Sequence, residues 1–170
     1  MMWFDKHDAR TVFVDKRCER HEMPRPKRGT TEFTETKPDI ICDFTALPFQ
    51  NDVFSLVVFD PPHFERSGKQ GYLAKKYGWL SAGWREMLRD GFSEGFRVLR
   101  PEGSLIFKWT DTETPVSEIF KLTSAKPLFG HKSGKQQHTH WICFIKQVST
   151  EPVQKQLILT ATAEITKLTD

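Results

Sequence analysis

Residues 54–64 read Phe-Ser-Leu-Val-Val-Phe-Asp-Pro-Pro-His-Phe, and the fold class turns on them. The run from Phe54 to Phe59 is nearly continuous in apolar residues and too short for a globular helix. Such runs belong to strands covered on both faces, as in parallel sheets. Asp60 and two prolines end the strand at once. Pro61 and Pro62 fix two φ angles and remove two backbone donors, so the strand end becomes a stiff group of acceptors: the Asp60 carboxylate and nearby carbonyls. In open parallel sheets ligands bind beyond the carboxyl ends of strands, which makes 60–63 the first place to look for chemistry. A rigid, acceptor-only pocket suits an exocyclic amino group, which has two protons to donate.

Working outward, Thr11–Asp15 and Asp39–Asp43 read as two further strands, each closing on an acid. Between them, 16–37 is rich in Pro, Arg, Lys, Thr and Glu and reads as a long polar loop. Downstream the period changes. Trp84, Met87, Leu88, Phe92, Phe96 and Leu99 recur at three- and four-residue steps, predicting an amphipathic helix over 81–99. Gly91 and Gly95 lie one turn apart on it and cost helix propensity, which predicts a close approach of helix to sheet. Arg100-Pro-Glu-Gly103 stops the helix, Ser104–Trp109 reads as a strand, and 115–125 as a short helix opening on proline. Lys108 and Trp109 end that strand near the same edge as Asp60, and Trp109 reads as core rather than as the wall of a site. Gly130-His-Lys-Ser-Gly-Lys135 reads as a polar turn and His140–Ile145 as a final strand. Strands alternating with helical or loop crossings predict an α/β sheet. One domain is expected over 1–147, with 148–170, where Thr, Gln, Ala and Leu take over, as a C-terminal extension.

The fourteen Phe and five Trp among 170 residues supply a core, which excludes a wholly disordered chain. The net charge of +3 is too mild to decide anything, but its distribution is informative. Residues 66–85 hold Arg66, Lys69, Lys75, Lys76 and Arg85 with no acid. Residues 121–146 hold five lysines and three histidines, again with no acid. Two acid-free stretches predict a basic face suited to a polyanion. Cys18, Cys42 and Cys143 form no disulfide framework, there is no signal-peptide core and no membrane-length apolar run, so a soluble, cytoplasmic protein is expected. His138, His140 and Cys143 invite a metal reading, as do Cys18 and His21. Neither group has a second ligand pair at the usual spacing, and no metal is expected.

At this point the chain resembles class I S-adenosylmethionine-dependent methyltransferases bearing the Asp-Pro-Pro-aromatic motif of amino-methylating enzymes. CDFTALPFQNDVFSLVVFDPP (42–62) is similar to the family's third and fourth motifs. FRVLRPEGSLIFKW (96–109) is similar to its following helix, turn and fifth strand, and HWICFIK (140–146) to its last, antiparallel strand. The VVFDPPH, AKKYG and LFGHKSGK…THW segments resemble small methyltransferases of phages and prophages, whose place of action would be the host cytoplasm. The resemblance spans about 11–147 and implies a Rossmann-like sheet, mostly parallel with an antiparallel last strand.

It also implies roles. Asp60 and the Pro61 carbonyl would hold the target amine, with Pro62 stiffening the turn and His63, where the family usually has Tyr, Phe or Trp, stacking on the base with Phe64 beside it. Asp15 would take the ribose hydroxyls and Asp43 the adenine amine of S-adenosylmethionine, with Phe44 against the adenine ring. Lys75, Lys76 and Tyr77, with His131 and Lys132, would meet the nucleic acid. The implied activity is methylation of adenine N6 in DNA, ahead of RNA; protein amines are a third target. The family's Gly-rich first motif is missing, since Gly29 is the first glycine. Phe4, Asp5 and Lys6, from this chain or a neighbouring subunit of a homo-oligomer, are the residues offered for that wall. The same gap supports a rival reading: a degenerate methyltransferase fold that binds nucleic acid without catalysis.

Overall fold

The computed structural model describes residues 3–5, 7–25, 30–64, 78–80, 82–134 and 136–147. The strands are β1 (Val14–Asp15), β2 (Glu19–Arg25), β3 (Thr30–Thr36), β4 (Ile40–Ile41), β5 (Phe54–Phe59), β6 (Leu99–Thr110), β7 (Phe129–Ser133) and β8 (Thr139–Ile145). The helices are α1 (Trp84–Val98) and α2 (Val116–Phe120). The chain is a mixed α/β fold whose main sheet has the order β5-β6-β8-β7.

The apolar run does form a strand in a parallel pair. β5 lies beside β6 with Val58 opposite Ile106 and Phe59 opposite Phe107, after a register shift between Phe54 and Leu56. β8 then runs antiparallel to β6, with Phe107 opposite Ile142 and Trp109 opposite His140. The final strand is therefore antiparallel, as the sequence led one to expect. β1 and β4 pair in parallel, with Asp15 opposite Ile41.

Four expectations are corrected. Among the described residues the strands form three separate ladders rather than one sheet, and three of the five strand pairings are antiparallel, so the sheet is not mostly parallel. The supposed loop of 16–37 carries an antiparallel hairpin, β2–β3, in which His21 faces Thr34 and Arg20 faces Glu35. Its Thr-rich arm has the β-branched side chains that favour strands, a signal masked by the charged and proline-rich composition; Arg20 lies 4.4 Å from the Phe33 ring centroid across the hairpin. The supposed turn at 130–135 is mostly strand: β7 pairs with β8, Gly130 opposite Ile142 and His131 opposite Trp141. α2 is also shorter than expected, at five residues.

α1 covers one face of the main sheet. Gly83 at φ 82° marks its start, which is why the helix begins three residues after Ser81. Trp84, Leu88, Phe92 and Val98 are buried on it, against Leu105, Phe107 and Trp109 of β6. The two helical glycines have the reason inferred for them. A Cβ on Gly91 would sit 2.7 Å from ring carbons of Phe44 and Phe59, and one on Gly95 2.9 Å from Leu105 Cδ1. Trp109 is core rather than wall: it is fully buried, lies near-parallel to Phe107, and donates from Nε1 to the Thr114 carbonyl at 2.9 Å. Lys146 closes the base of the sheet by donating to the Leu99 carbonyl and the Asp52 carboxylate, both at 2.7 Å. No helix among the described residues is long and apolar enough to cross a membrane.

Candidate active site

Period two along β6 sets the chemistry. Leu105, Phe107 and Trp109 turn toward α1, so Ser104, Ile106, Lys108 and Thr110 turn the other way. Beyond the carboxyl end of β5, Asp60 is met by Lys108: Nζ donates to Asp60 Oδ2 at 2.7 Å, with both side chains partly exposed. The two residues are 48 apart in sequence and become neighbours because β5 and β6 run in register. Asp60, Pro61, His63, Phe64, Lys108, Thr110 and Thr139 line a cavity of about 260 Å³. The two threonine hydroxyls share a hydrogen bond at 3.1 Å.

His63 is buried, with its ring 4.3 Å from the Phe64 ring and 6.1 Å from Trp109, centroid to centroid. Burial pushes its imidazole below its ordinary value, since the charged form loses water. The Asp60 charge and the Pro61 carbonyl oppose that shift, and the Lys108 ammonium adds to it. His63 therefore sits as a neutral, flat ring beside a carboxylate. Pro61 is buried and Pro62 half-buried, and Gly78, at φ 78°, comes close enough that a Cβ there would lie 3.0 Å from Pro62 Cγ.

The two strand-end acids are also held by partners. Asp15 accepts from the Arg17 amide at 2.9 Å and from its guanidinium at 3.1 and 2.9 Å. Asp43 accepts from the Thr45 amide and hydroxyl at 3.0 and 2.9 Å, with Lys16 Nζ at 3.7 Å. Burial alone would raise the Asp43 carboxyl; the Thr45 hydrogen bonds and Lys16 outweigh it and hold it below its usual range. Phe44 is spent on packing, its ring 5.2 Å from Phe59 and against Gly91. Phe4 is fully exposed, and Asp5 accepts from the His7 amide at 2.8 Å. Nearby, Trp3 meets Phe13 edge-on at 5.3 Å. His131 and Lys132 are exposed on β7. Lys6, Arg66, Lys69, Lys75, Lys76, Tyr77, Lys135 and the extension 148–170 lie outside the described residues.

The sequence thus led to Asp60, Pro61, His63 and Phe64, which share one cavity; it placed Lys108 near the same edge but gave it no role. A lysine inside an apolar strand, Leu-Ile-Phe-Lys-Trp, was the available signal. His138 and His140 both lie against Asp111, at 3.3 and 2.7 Å, a pairing no spacing rule foresees.

No family model and no curated protein matches the chain. Solved structures overlap it in part. A protein of Pyrococcus horikoshii shares 19% identity over 62% of this chain and 57% of its own, with a TM-score of 0.43. A Thermus thermophilus protein provisionally named a DNA modification methylase shares 17% over 68% and 56%, with a TM-score of 0.42. A provisionally named methyltransferase solved with SAH shares 14% over 55% and 26%, with a TM-score of 0.36. The chain spans little more than half the length of the first two and a quarter of the third. At these TM-scores the overlaps assign no function.

Proposed function

We propose that the chain is an S-adenosylmethionine-dependent methyltransferase acting on an exocyclic amino nitrogen of a nucleobase, adenine N6 in DNA foremost. The observation that carries the reading is the cavity at the carboxyl end of β5, where Asp60, Pro61, His63 and Phe64 converge. The acid accepts hydrogen bonds, the proline turn is stiff, and two flat rings stand beside it. That combination matches an aromatic amine carried on a planar base.

The chain's own residues would act as follows. The base enters the cavity and lies against His63 and Phe64, which stay neutral and flat. Asp60 and the Pro61 carbonyl accept from the two N–H groups of the amine. An aromatic amine is a weak nucleophile because its lone pair is delocalised; holding both protons favours the pyramidal nitrogen and aims its lone pair. When bound, S-adenosylmethionine supplies an electrophilic methyl group. Asp43 fits a nucleoside donor, since among the described residues one carboxylate oxygen faces only Lys16, at 3.7 Å. Asp15 fits only if it shares its carboxylate with Arg17. Phe4, Asp5 and Lys6 remain proposed for the missing Gly-rich wall, from this chain or a neighbouring subunit. In this proposal Lys75, Lys76, Tyr77, His131 and Lys132 contact nucleic acid, and a paired base is flipped out to reach Asp60. A phage origin and a cytoplasmic setting belong to the same proposal.

The rival, a nucleic-acid-binding module without catalysis, is favoured by the ion pairs that already engage Asp60 and Asp15. Incubation with DNA and labelled cofactor, followed by nucleoside mass spectrometry, separates the two. A methylated adenine is expected, and Asp60→Ala should lower the rate by about 10²-fold or more while leaving the melting temperature near that of the parent. Nucleic-acid binding with no methyl transfer would leave the rival standing.

A further inference from the structure

The Asp60–Lys108 pair presents more than a salt bridge to the cavity. A carboxylate can only accept and an ammonium can only donate. Set 2.7 Å apart at the same cavity wall, they offer an acceptor and a donor side by side. Asparagine and glutamine amides use that pattern to read adenine in duplex DNA, accepting from N6 and donating to N7; N6 and N1 repeat the same donor–acceptor pair on the edge that base pairing covers and that a flipped base exposes. Lys108 has three N–H groups, of which Asp60 Oδ2 takes one, so donors remain. Its stem is held by β6, with Nζ 5.8 Å from the ring centroid of its cross-strand neighbour Trp141. The side chain therefore reaches the cavity from a sheet position and not from a loop.

We propose that Lys108 donates to the ring nitrogen beside the target amine, N1 of adenine or N3 of cytosine, while Asp60 accepts from the amine. The proposal rests on the methyltransferase reading and adds what selects the base. Its chemistry excludes two competitors. An aromatic amine without a neighbouring ring acceptor displaces water from the remaining Lys108 donors without replacing that hydrogen bond, which is costly. An alkylammonium, as on a lysine side chain, brings a second positive charge against Lys108.

The test uses single-stranded oligonucleotides holding one adenine, one 1-deazaadenine or one 7-deazaadenine, with labelled S-adenosylmethionine and the whole chain. The parent protein is expected to methylate adenine and 7-deazaadenine at similar rates and 1-deazaadenine at least about tenfold slower. Lys108→Met should be slow on adenine and should no longer distinguish it from 1-deazaadenine, whereas Lys108→Arg should restore the distinction. Melting temperatures within a few degrees of the parent would show that both variants fold. If Lys108→Met keeps the preference for adenine over 1-deazaadenine, or the parent never shows one, the contact is overturned while the function stands. If the parent methylates none of the three and no natural DNA, the functional reading itself falls and takes this contact with it.

Discussion

At the scale of single residues, His63 offers a test that needs no substrate. Burial holds its folded-state imidazole below the ordinary value of 6.5. The neighbouring charges are Asp60, Lys108 and Glu113; the acids pull the value up and the lysine pushes it down. A depressed value means that the unfolded chain takes up the proton first as the pH falls. Stability from this group is therefore full above about pH 6.5 and is lost as the pH drops from there through the folded-state value. Urea midpoints at pH 7.5 and 5.5 should differ less in His63→Phe than in the parent, and an equal difference would mean that His63 titrates alike in both states. Asp60, the two prolines, His63 and Phe64 were legible because they are adjacent in the chain and chemically unusual together. Their partners were not: Lys108 is 48 residues from Asp60, and only the β5–β6 register joins them. Nor could the sequence say that Arg17 and Thr45 would engage the strand-end acids, or that Phe44 would be drawn into the core.

At the scale of elements, α1 was the most legible because its apolar period, its glycine rows and its stop at Arg100-Pro101 agree. The glycines also make it the most testable. Gly91→Ala places a methyl 2.7 Å from ring carbons of Phe59, in the core, and of Phe44, half-buried against it. The gain in helix propensity, about 1 kcal/mol, is opposed by overpacking of about 1–3 kcal/mol, so a net loss is expected. Gly95→Ala meets a single tight neighbour, the end of the Leu105 side chain at 2.9 Å, with Val57 Cγ1 at an ordinary 3.9 Å; its loss should be smaller. Chemical denaturation of both variants checks the order, and a stabilised Gly91→Ala would mean that Phe44 yields readily. The hairpin β2–β3 and the strand β7 were illegible for a common reason. Both are polar and half-solvated, so no apolar alternation marks them, and their pairing partners rather than their own composition make them strands.

At the scale of the whole molecule, the three ladders are unequal. β6 and β8 lie at the centre of the main sheet under α1, with Leu105, Phe107, Trp109 and Phe144 fully buried. β5 is one outer strand of that sheet among the described residues; Leu56 on it and Val53 just before it are about half exposed. Among the described residues, β2 and β3 (Glu19–Arg25 and Thr30–Thr36) stand as a two-stranded ladder of their own. A lone two-stranded ladder is marginal in water, so its opening need not wait for the core to melt. In deuterated buffer, amides of 19–25 and 30–36 should exchange by local opening, early and with little response to dilute urea. Those of 104–110 and 139–145 should exchange only through global unfolding, at a rate that climbs steeply with urea. Peptide-resolved mass spectrometry would read both classes in one experiment; equal urea dependence would mean that the hairpin is coupled to the core. Because Asp15 and Arg17 lie just before β2, a hairpin that opens on its own would let the segment carrying the proposed ribose contact rearrange on a faster clock than the sheet carrying Asp60 and Lys108.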